Sequence, residues 1–395
     1  MFWIWFLLAT SQCALLYILA RRGESMPRRI EEEAEANRAI PEDKWPSVGM
    51  IVPVAGRDPR MEGALRSLLT QDYPRFVPVL VTAEENEPAA ELVGRLKQDF
   101  PALRHVVAGT ATGCGQKNHN SLQGIAALGD EVDVYVFCDS THMAEPDFLR
   151  HLAAPMARGE ASFSTGYHVV EPRDDQPVTL AYTLCVMLMR YLQAMSAFTQ
   201  LWGGAMAMTR EAYVKYGVAQ LWLENVVDDC SLTALLQVRG AKVRLCPGAL
   251  LHTDAVNHST PVWRAWMDRQ VLFLKFCMPG QWQLLGLMCV MMALPMVCAA
   301  LAFLGWIVNV GSGAGVLLGL FWLAAMVSAL HLWRGLLAKP VPLWRWCMAF
   351  ADAVRMFTSV YWQSIKSWDI VWHGIRYEVG KGGVVLRSEH SQGIK

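Results

Sequence analysis

The chain has 395 residues, 53% of them hydrophobic and 18% charged, and its mean hydropathy is positive. That is more apolar than an ordinary soluble domain, and the 35 basic and 35 acidic residues cancel, so nothing in the charge points to a nucleic-acid partner. The ten cysteines are scattered without CxxC spacing, which gives no sign of a zinc site or disulfide framework and leaves them as small buried apolar residues, reduced where they face the cytosol.

The apolar residues are unevenly spread. Phe2–Ala20 carries no charge and is about as long as a spanning helix requires, and Arg21, Arg22, Arg28 and Arg29 follow it. The positive-inside rule then puts the N-terminus outside and the rest of the chain in the cytosol. A cleavable signal peptide is the rival, since Ala14 and Ala20 are small. The missing basic n-region and the arginines behind the apolar run favour an uncleaved anchor over residues 1–20. The charged segment that follows reads as a solvated helix and linker, residues 21–44.

From residue 45 to 280 the pattern alternates. Val48–Val54 predicts a strand ending at Gly56 and Arg57, Met61–Thr70 a helix, and Val77–Ala83 a strand ending at Glu84. A helix over Ala89–Phe100, a short strand near His105–Ala108 and a helix over Asn120–Leu128 lead to the apolar run Val134–Cys138, which stops on Asp139. This rhythm argues one α/β domain with a parallel sheet and right-handed crossovers. Ligands in open α/β sheets gather beyond the carboxyl ends of strands, so Arg57, Glu84, Glu87, Lys117 and Asp139 form a candidate polar site. A strand-ending aspartate also serves in caps and turns.

Leu284–Val308 and Gly313–Leu332 are each long enough to cross a bilayer, with only Asn309–Ser312 between them, so residues 281–335 form a helical hairpin. Arg334, Lys339 and Arg345 return the chain to the cytosolic side. Trp346–Ile365 holds Asp352 and Arg355 on one helix face, a pair that is costly in lipid, so residues 336–395 are expected to form an interfacial or re-entrant helix and a cytosolic tail.

Six segments in order carry a resemblance: Pro53-Val54-Ala55-Gly56-Arg57-Asp58, Glu84-Glu85-Asn86-Glu87-Pro88, Gly115-Gln116-Lys117-Asn118, Phe137-Cys138-Asp139-Ser140, Trp202-Gly203-Gly204-Ala205-Met206 and Val227-Asp228-Asp229. Together they resemble the membrane-bound ceramide glucosyltransferases and their bacterial relatives, including hopanoid-type lipid glycosyltransferases. Trp372-His373-Gly374-Ile375-Arg376-Tyr377 is similar to the Trp-Arg-x-x-Arg-Tyr segment near that family's C-terminus, so the resemblance covers nearly the whole chain. It implies a GT-A fold and an inverting transfer of a hexose from a UDP-sugar to a membrane lipid hydroxyl, on the cytosolic face of a bacterial inner membrane.

The family's three acidic positions fall on Glu87, Asp139 and Asp229. The resemblance makes Asp139 the contact for Mg²⁺ or Mn²⁺ on the donor diphosphate; Thr141 stands where a second aspartate is usual, so Glu87, water or the diphosphate must complete the shell. It makes Asp229 the general base, against the plainer reading that Asp228 and Asp229 cap a helix over Ser231–Arg239. Gly203 and Gly204 would let backbone approach the sugar, Lys117 would offset diphosphate charge, and Glu84 would reach uridine or ribose hydroxyls.

The family's (Q/R)xxRW segment falls on Arg269-Gln270-Val271-Leu272-Phe273, where Leu272 and Phe273 replace Arg and Trp. Arg269 and Phe273 are expected to meet the acceptor, with Arg376 restoring the guanidinium that Leu272 lacks. These departures keep two rivals open: a processive polysaccharide synthase, for which three spans are few, and a non-catalytic lipid or sugar-nucleotide binding protein. The sugar, the lipid and the oligomeric state are not readable from the motifs.

Overall fold

The computed structural model describes residues 2–390; the last five residues of the expected tail, including Ser391, lie outside the described residues. The first helix, α1 (Phe2–Arg38), continues unbroken from the expected anchor into the expected linker of residues 21–44, with Pro27 inside it, and ends at Arg38. Its polar half is supported by Arg21–Glu24 and Arg28–Glu32 pairs at 2.6 and 2.8 Å, one helical turn apart.

The α/β domain then follows as β1 (Val48–Pro53), α2 (Met61–Leu69), β2 (Phe76–Thr82), α3 (Pro88–Asp99), β3 (Arg104–Val107), α4 (Gln116–Leu128), β4 (Val134–Cys138), β5 (Met143–Ala144), α5 (Phe148–Ala157), β6 (Phe163–Pro172), α6 (Pro177–Gln193), β7 (Ala205–Thr209), α7 (Arg210–Lys215), α8 (Val218–Glu224), α9 (Asp229–Val238) and β8 (Arg244–Ala255). The strands form one eight-stranded sheet in the order β3-β2-β1-β4-β7-β6-β8-β5. The parallel arrangement expected from the sequence holds for β3, β2, β1 and β4. Beyond β4 the sheet is mixed: β7 pairs antiparallel with both β4 and β6, and β6 pairs parallel with β8. The chain leaves β4 for the far edge and returns to it from there, so no single βαβ crossover sets the direction of β7.

β4 is buried along its whole length, as a central strand covered on both faces should be. Successive residues alternate between two cores: Met50, Val52 and Val136 pack with Leu65 and Phe148, while Ile51 and Phe137 pack with Ile125 and Trp222 on the opposite face. The curled, parallel-rich sheet is of the GT-A type.

After β8 come α10 (Thr260–Cys277), α11 (Pro279–Ile307), α12 (Gly313–Arg334), α13 (Leu343–Ser364) and the antiparallel strands β9 (Asp369–Trp372), β10 (Ile375–Val379) and β11 (Val385–His390). Among the described residues three helices, α1, α11 and α12, are long and apolar enough to cross a membrane. Gln12 ties them together: its amide donates to the Met292 carbonyl at 3.0 Å and accepts from Trp322 Nε1 at 2.9 Å, the polar link expected where no water competes. α13 is not one of the three. It buries Trp346, Phe350 and Val354 and exposes Trp344, Met348 and Trp362, the two-faced character expected of an interfacial helix. The small β9–β11 sheet packs on α10 and reaches the α/β domain, where Tyr377 Oη accepts from the Gln116 N–H at 3.3 Å.

Candidate active site

Four separate segments converge beyond the end of β4. Asp139 is the first residue past the strand, and its N–H donates to the Gly204 carbonyl at 3.2 Å. Lys117 lies in the first turn of α4, and Asp228 and Asp229 lie at the start of α9. The Lys117 ammonium sits 2.9 Å from Asp139 Oδ1, 3.0 Å from the Gly203 carbonyl and 3.1 Å from Asp228 Oδ2. It donates to Asp139 and to the Gly203 carbonyl and pairs ionically with Asp228, so its work within the chain is to hold the end of β4, the Gly203 turn and the start of α9 together. Asp229 completes the group: Oδ2 accepts from the Gly203 N–H at 2.7 Å and Oδ1 from the Cys230 N–H at 2.6 Å.

Gly203 is required here by space. A Cβ on it would lie 2.7 Å from Asp228 Oδ2 and 2.8 Å from Lys117 Nζ, inside the ion pair. Gly204 is likewise filled, since a Cβ there would meet the Trp202 ring at 2.3 Å. The two glycines are followed directly by a strand, β7.

Electrostatics divide the carboxylates. Burial acts to raise the Asp139 carboxyl, but Lys117, His142 and His373 outweigh it and hold it below the usual range. Burial alone would lower the Lys117 ammonium, yet Asp139, Asp228 and Asp229 raise it well above its ordinary value. Asp229 is pushed up to about 7, first by burial and then by Asp228, against the opposing effects of Lys117 and the two backbone N–H groups. The site thus sets three carboxylates against one ammonium. Asp228 is sealed at 2% side-chain exposure whereas Asp139 keeps 33%, so of the two carboxylates beside Lys117 Asp139 is the one a ligand can reach.

The remaining expected residues are spread around this centre. Glu87 Oε1 accepts from the N–H groups of Ala83 and Glu84 at 2.7 and 3.2 Å, fixing the turn after β2, and the Glu84 side chain is exposed there. β1 lies between β2 and β4, so at normal strand spacing these glutamates stand roughly 10 Å from Asp139, about the reach of a nucleotide. Arg269 is half-buried on α10, its Nη1 donating to the Ala265 carbonyl at 3.1 Å. Phe273 is buried, edge-on to Trp372 with ring centroids 5.8 Å apart. Arg376 departs from expectation: it pairs with Asp369 at 2.6 Å and is 60% exposed. Neighbours along a strand point to opposite faces, and it is Ile375, Tyr377 and Val379 of β10 that pack with the cluster holding Leu272. The space expected for a guanidinium is closed by apolar side chains.

Several contributors carried no clear signal in the sequence. Asp228 read as a helix cap, and only its acidic neighbour hinted at more. His142 and His168 both bond the Thr253 hydroxyl, at 2.6 and 3.0 Å, and His142 Nε2 lies 3.8 Å from Asp139 Oδ2. His168 stacks on Trp202 at 5.5 Å. These residues lie far apart in the chain, and no short motif joins them.

A cavity of about 240 Å³ opens from this centre toward the apolar helices. Trp202, Asp229 and Phe273 stand at its domain end, and Leu16, Met288 and Met292 belong to the membrane-type helices at the other. Asp229 is the one ionisable carboxylate in its wall.

Residues 3–385 match the model of Glycosyl transferase family 21. The chain belongs to that family. In this glycosyltransferase the segments 115–118, 137–140, 202–206 and 227–229, which carried the sequence resemblance, meet around Lys117 and Gly203. Among solved structures the chain is similar to the mannosyltransferase PcManGT from Pyrobaculum calidifontis in complex with GDP-Man and Mn2+, at 16% identity and a TM-score of 0.49 over 89% of this chain and 96% of that one. It is also similar to GalNAc-T7 with UDP, GalNAc and Mn2+, at 10% identity and a TM-score of 0.40 over 60% of this chain and 50% of that one. Both similarities are distant, and the family assignment rests on the sequence match.

Proposed function

We propose that this glycosyltransferase moves a hexose from a UDP-sugar to the hydroxyl of a membrane lipid with inversion, Asp229 acting as the general base. The observation that carries this reading is the apolar cavity that leads from the membrane-type helices to a single carboxylate. A lipid tail lying against Leu16, Met288 and Met292 brings its hydroxyl to Asp229 without exposing the chain to water. The hydroxyl oxygen then bonds to the anomeric carbon as the bond from that carbon to the diphosphate breaks. The hydroxyl proton passes to Asp229 and UDP leaves. A base raised to about 7 suits this step, because a substantial fraction is ionised at neutral pH and the group still holds the proton it receives.

Asp139 and the turn at Glu84 and Glu87 are the donor side of this proposal, with Lys117 and Gly203 fixing the floor beneath the sugar. The described residues contain no group of three His, Cys, Asp or Glu side chains that could hold a metal ion. The acidic floor nevertheless suits a hard cation that arrives with the donor: Asp139 is the reachable carboxylate, and diphosphate oxygens and water would supply the rest of the shell. Bound there, Mg²⁺ or Mn²⁺ would neutralise the diphosphate. The catalytic domain faces the cytosol in this reading, with α1, α11 and α12 in the membrane.

Incubating the purified chain with a panel of radiolabelled UDP-sugars and extracted membrane lipids tests the proposal. One labelled lipid product is expected. A labelled polymer would favour a processive synthase, and donor binding with no transfer would favour a non-catalytic role.

A further inference from the structure

A second cavity, of about 130 Å³, lies on the other side of α6 from the first. Met189, Leu192 and Gln193 of α6 face the acceptor cavity, whereas Val186, Met187, Arg190 and Tyr191 line this one, together with the end of β6 and residues 336–339 that follow α12. Its chemistry is unusual. Arg190 Nε is buried without a hydrogen-bond partner, and the guanidinium makes no ion pair among the described residues. Lys339 stands exposed at the rim, also without an ion pair among the described residues. The acid in the lining, Glu171, is already engaged by Arg173 at 2.9 Å and lies 3.6 Å from His252 Nδ1. The guanidinium, half-buried and 5.8 Å from the centre of the Tyr191 ring, has no counter-charge among the described residues; a partly desolvated cation left unpaired is costly, and an anion entering the cavity would complete it.

The location narrows the kind of anion. Arg334 ends α12 and Arg21 and Arg22 follow the apolar part of α1, so both helices leave their apolar stretch at this level. Leu336 packs on Gly23 of α1 beside Tyr191, where a Cβ on Gly23 would meet it at 2.5 Å. The cavity therefore opens where the headgroups of a bilayer crossed by α1 and α12 would lie. Its lining joins Arg190 and Lys339, the cations not already paired with an acid as Arg173 is, to apolar Val186, Met187, Leu336 and Leu337, which fits a phosphodiester carrying acyl chains better than a free ion. We propose that this cavity binds the phosphate of an anionic membrane phospholipid, held by Arg190 within and Lys339 at the rim. The proposal rests on α1 and α12 crossing the membrane and is independent of which sugar or acceptor the enzyme uses.

Native mass spectrometry of the full chain, released from micelles titrated with phosphatidylglycerol or phosphatidylcholine, tests it. One phosphatidylglycerol should be retained in preference to phosphatidylcholine. Arg190→Gln and Lys339→Gln should each weaken retention by about tenfold or more, the cost of a lost charge-assisted bond, and Lys242→Gln, at a distant exposed site, should not. Should Arg190→Gln fail to fold, Lys339→Gln still decides, because its side chain is at the surface. Unaltered retention in Lys339→Gln, equal retention of the two lipids, or displacement of phosphatidylglycerol by millimolar inorganic phosphate would each overturn the proposal, the last by making this a free-phosphate site.

Discussion

Replacing Asp228 by Asn removes one buried negative charge while keeping the side chain's shape. Asp228 and Asp229 converge on Gly203, the first crowding its Cβ position at 2.7 Å and the second accepting from its N–H at 2.7 Å. Two charges so placed are roughly 6 Å apart, and at an effective dielectric of about 20 they repel by about 2.8 kcal/mol, or about 2 pH units. The sign follows from the proposed role of Asp229: a general base works only when deprotonated, so transfer in the wild type should rise with pH through about 7. In Asp228→Asn the proton leaves Asp229 more easily, and the acid limb should move to lower pH by more than one unit. The assay is the pH dependence of kcat/KM for lipid glycosylation, with Asp228→Glu as the charge-conserving control. An acid limb that stays in place in Asp228→Asn would show that Asp228 does not tune the group that limits the rate.

Asp139→Ala should lower donor affinity and the response to Mg²⁺ or Mn²⁺ together, as read by UDP-sugar titration with and without metal; unchanged affinity with full metal response would remove Asp139 from the donor site. Gly203→Ala must displace the Lys117–Asp228 pair by nearly 1 Å, and misplacement on that scale should reduce kcat by about 10²-fold without unfolding the chain, as checked by its melting temperature. Met288→Trp should fill the apolar cavity and raise KM for the lipid while UDP-sugar binding stays at the wild-type level. An unchanged lipid KM would place the acceptor elsewhere.

The first half of the domain was legible in the sequence because its strands are buried on both faces. Apolar runs such as Val134–Cys138 announce themselves, and the helices between them match observed elements to within a few residues, the main miss being α4, which begins at Gln116 behind a Gly115 cap. The mixed half was not legible. β6 pairs with β8 across about 80 residues, and that long-range choice leaves no local pattern. The motif residues pointed to the neighbourhood of the site, yet the sequence could not show that the ammonium of Lys117 bonds Asp139 and the Gly203 carbonyl and pairs with Asp228. Nor could it show Asp228 as a member, because an acidic pair before a helix is also an ordinary cap. Arg376 misled for a related reason: its basic character was visible, but the side of β10 on which it stands depends on how the small sheet docks. The apolar cavity gathers residues from Leu16 to Thr358 and exists only in the folded chain.

In the proposed transfer Asp229 takes the proton from a lipid hydroxyl at the end of the apolar cavity. Asp229→Asn keeps the side chain's shape and an acceptor oxygen for one of the two backbone N–H groups, of Gly203 and Cys230, and removes the base. Measured side by side, its UDP-sugar affinity should stay near the wild-type value while transfer to lipid falls by about 10²-fold or more. Transfer at close to the wild-type rate would contradict the account.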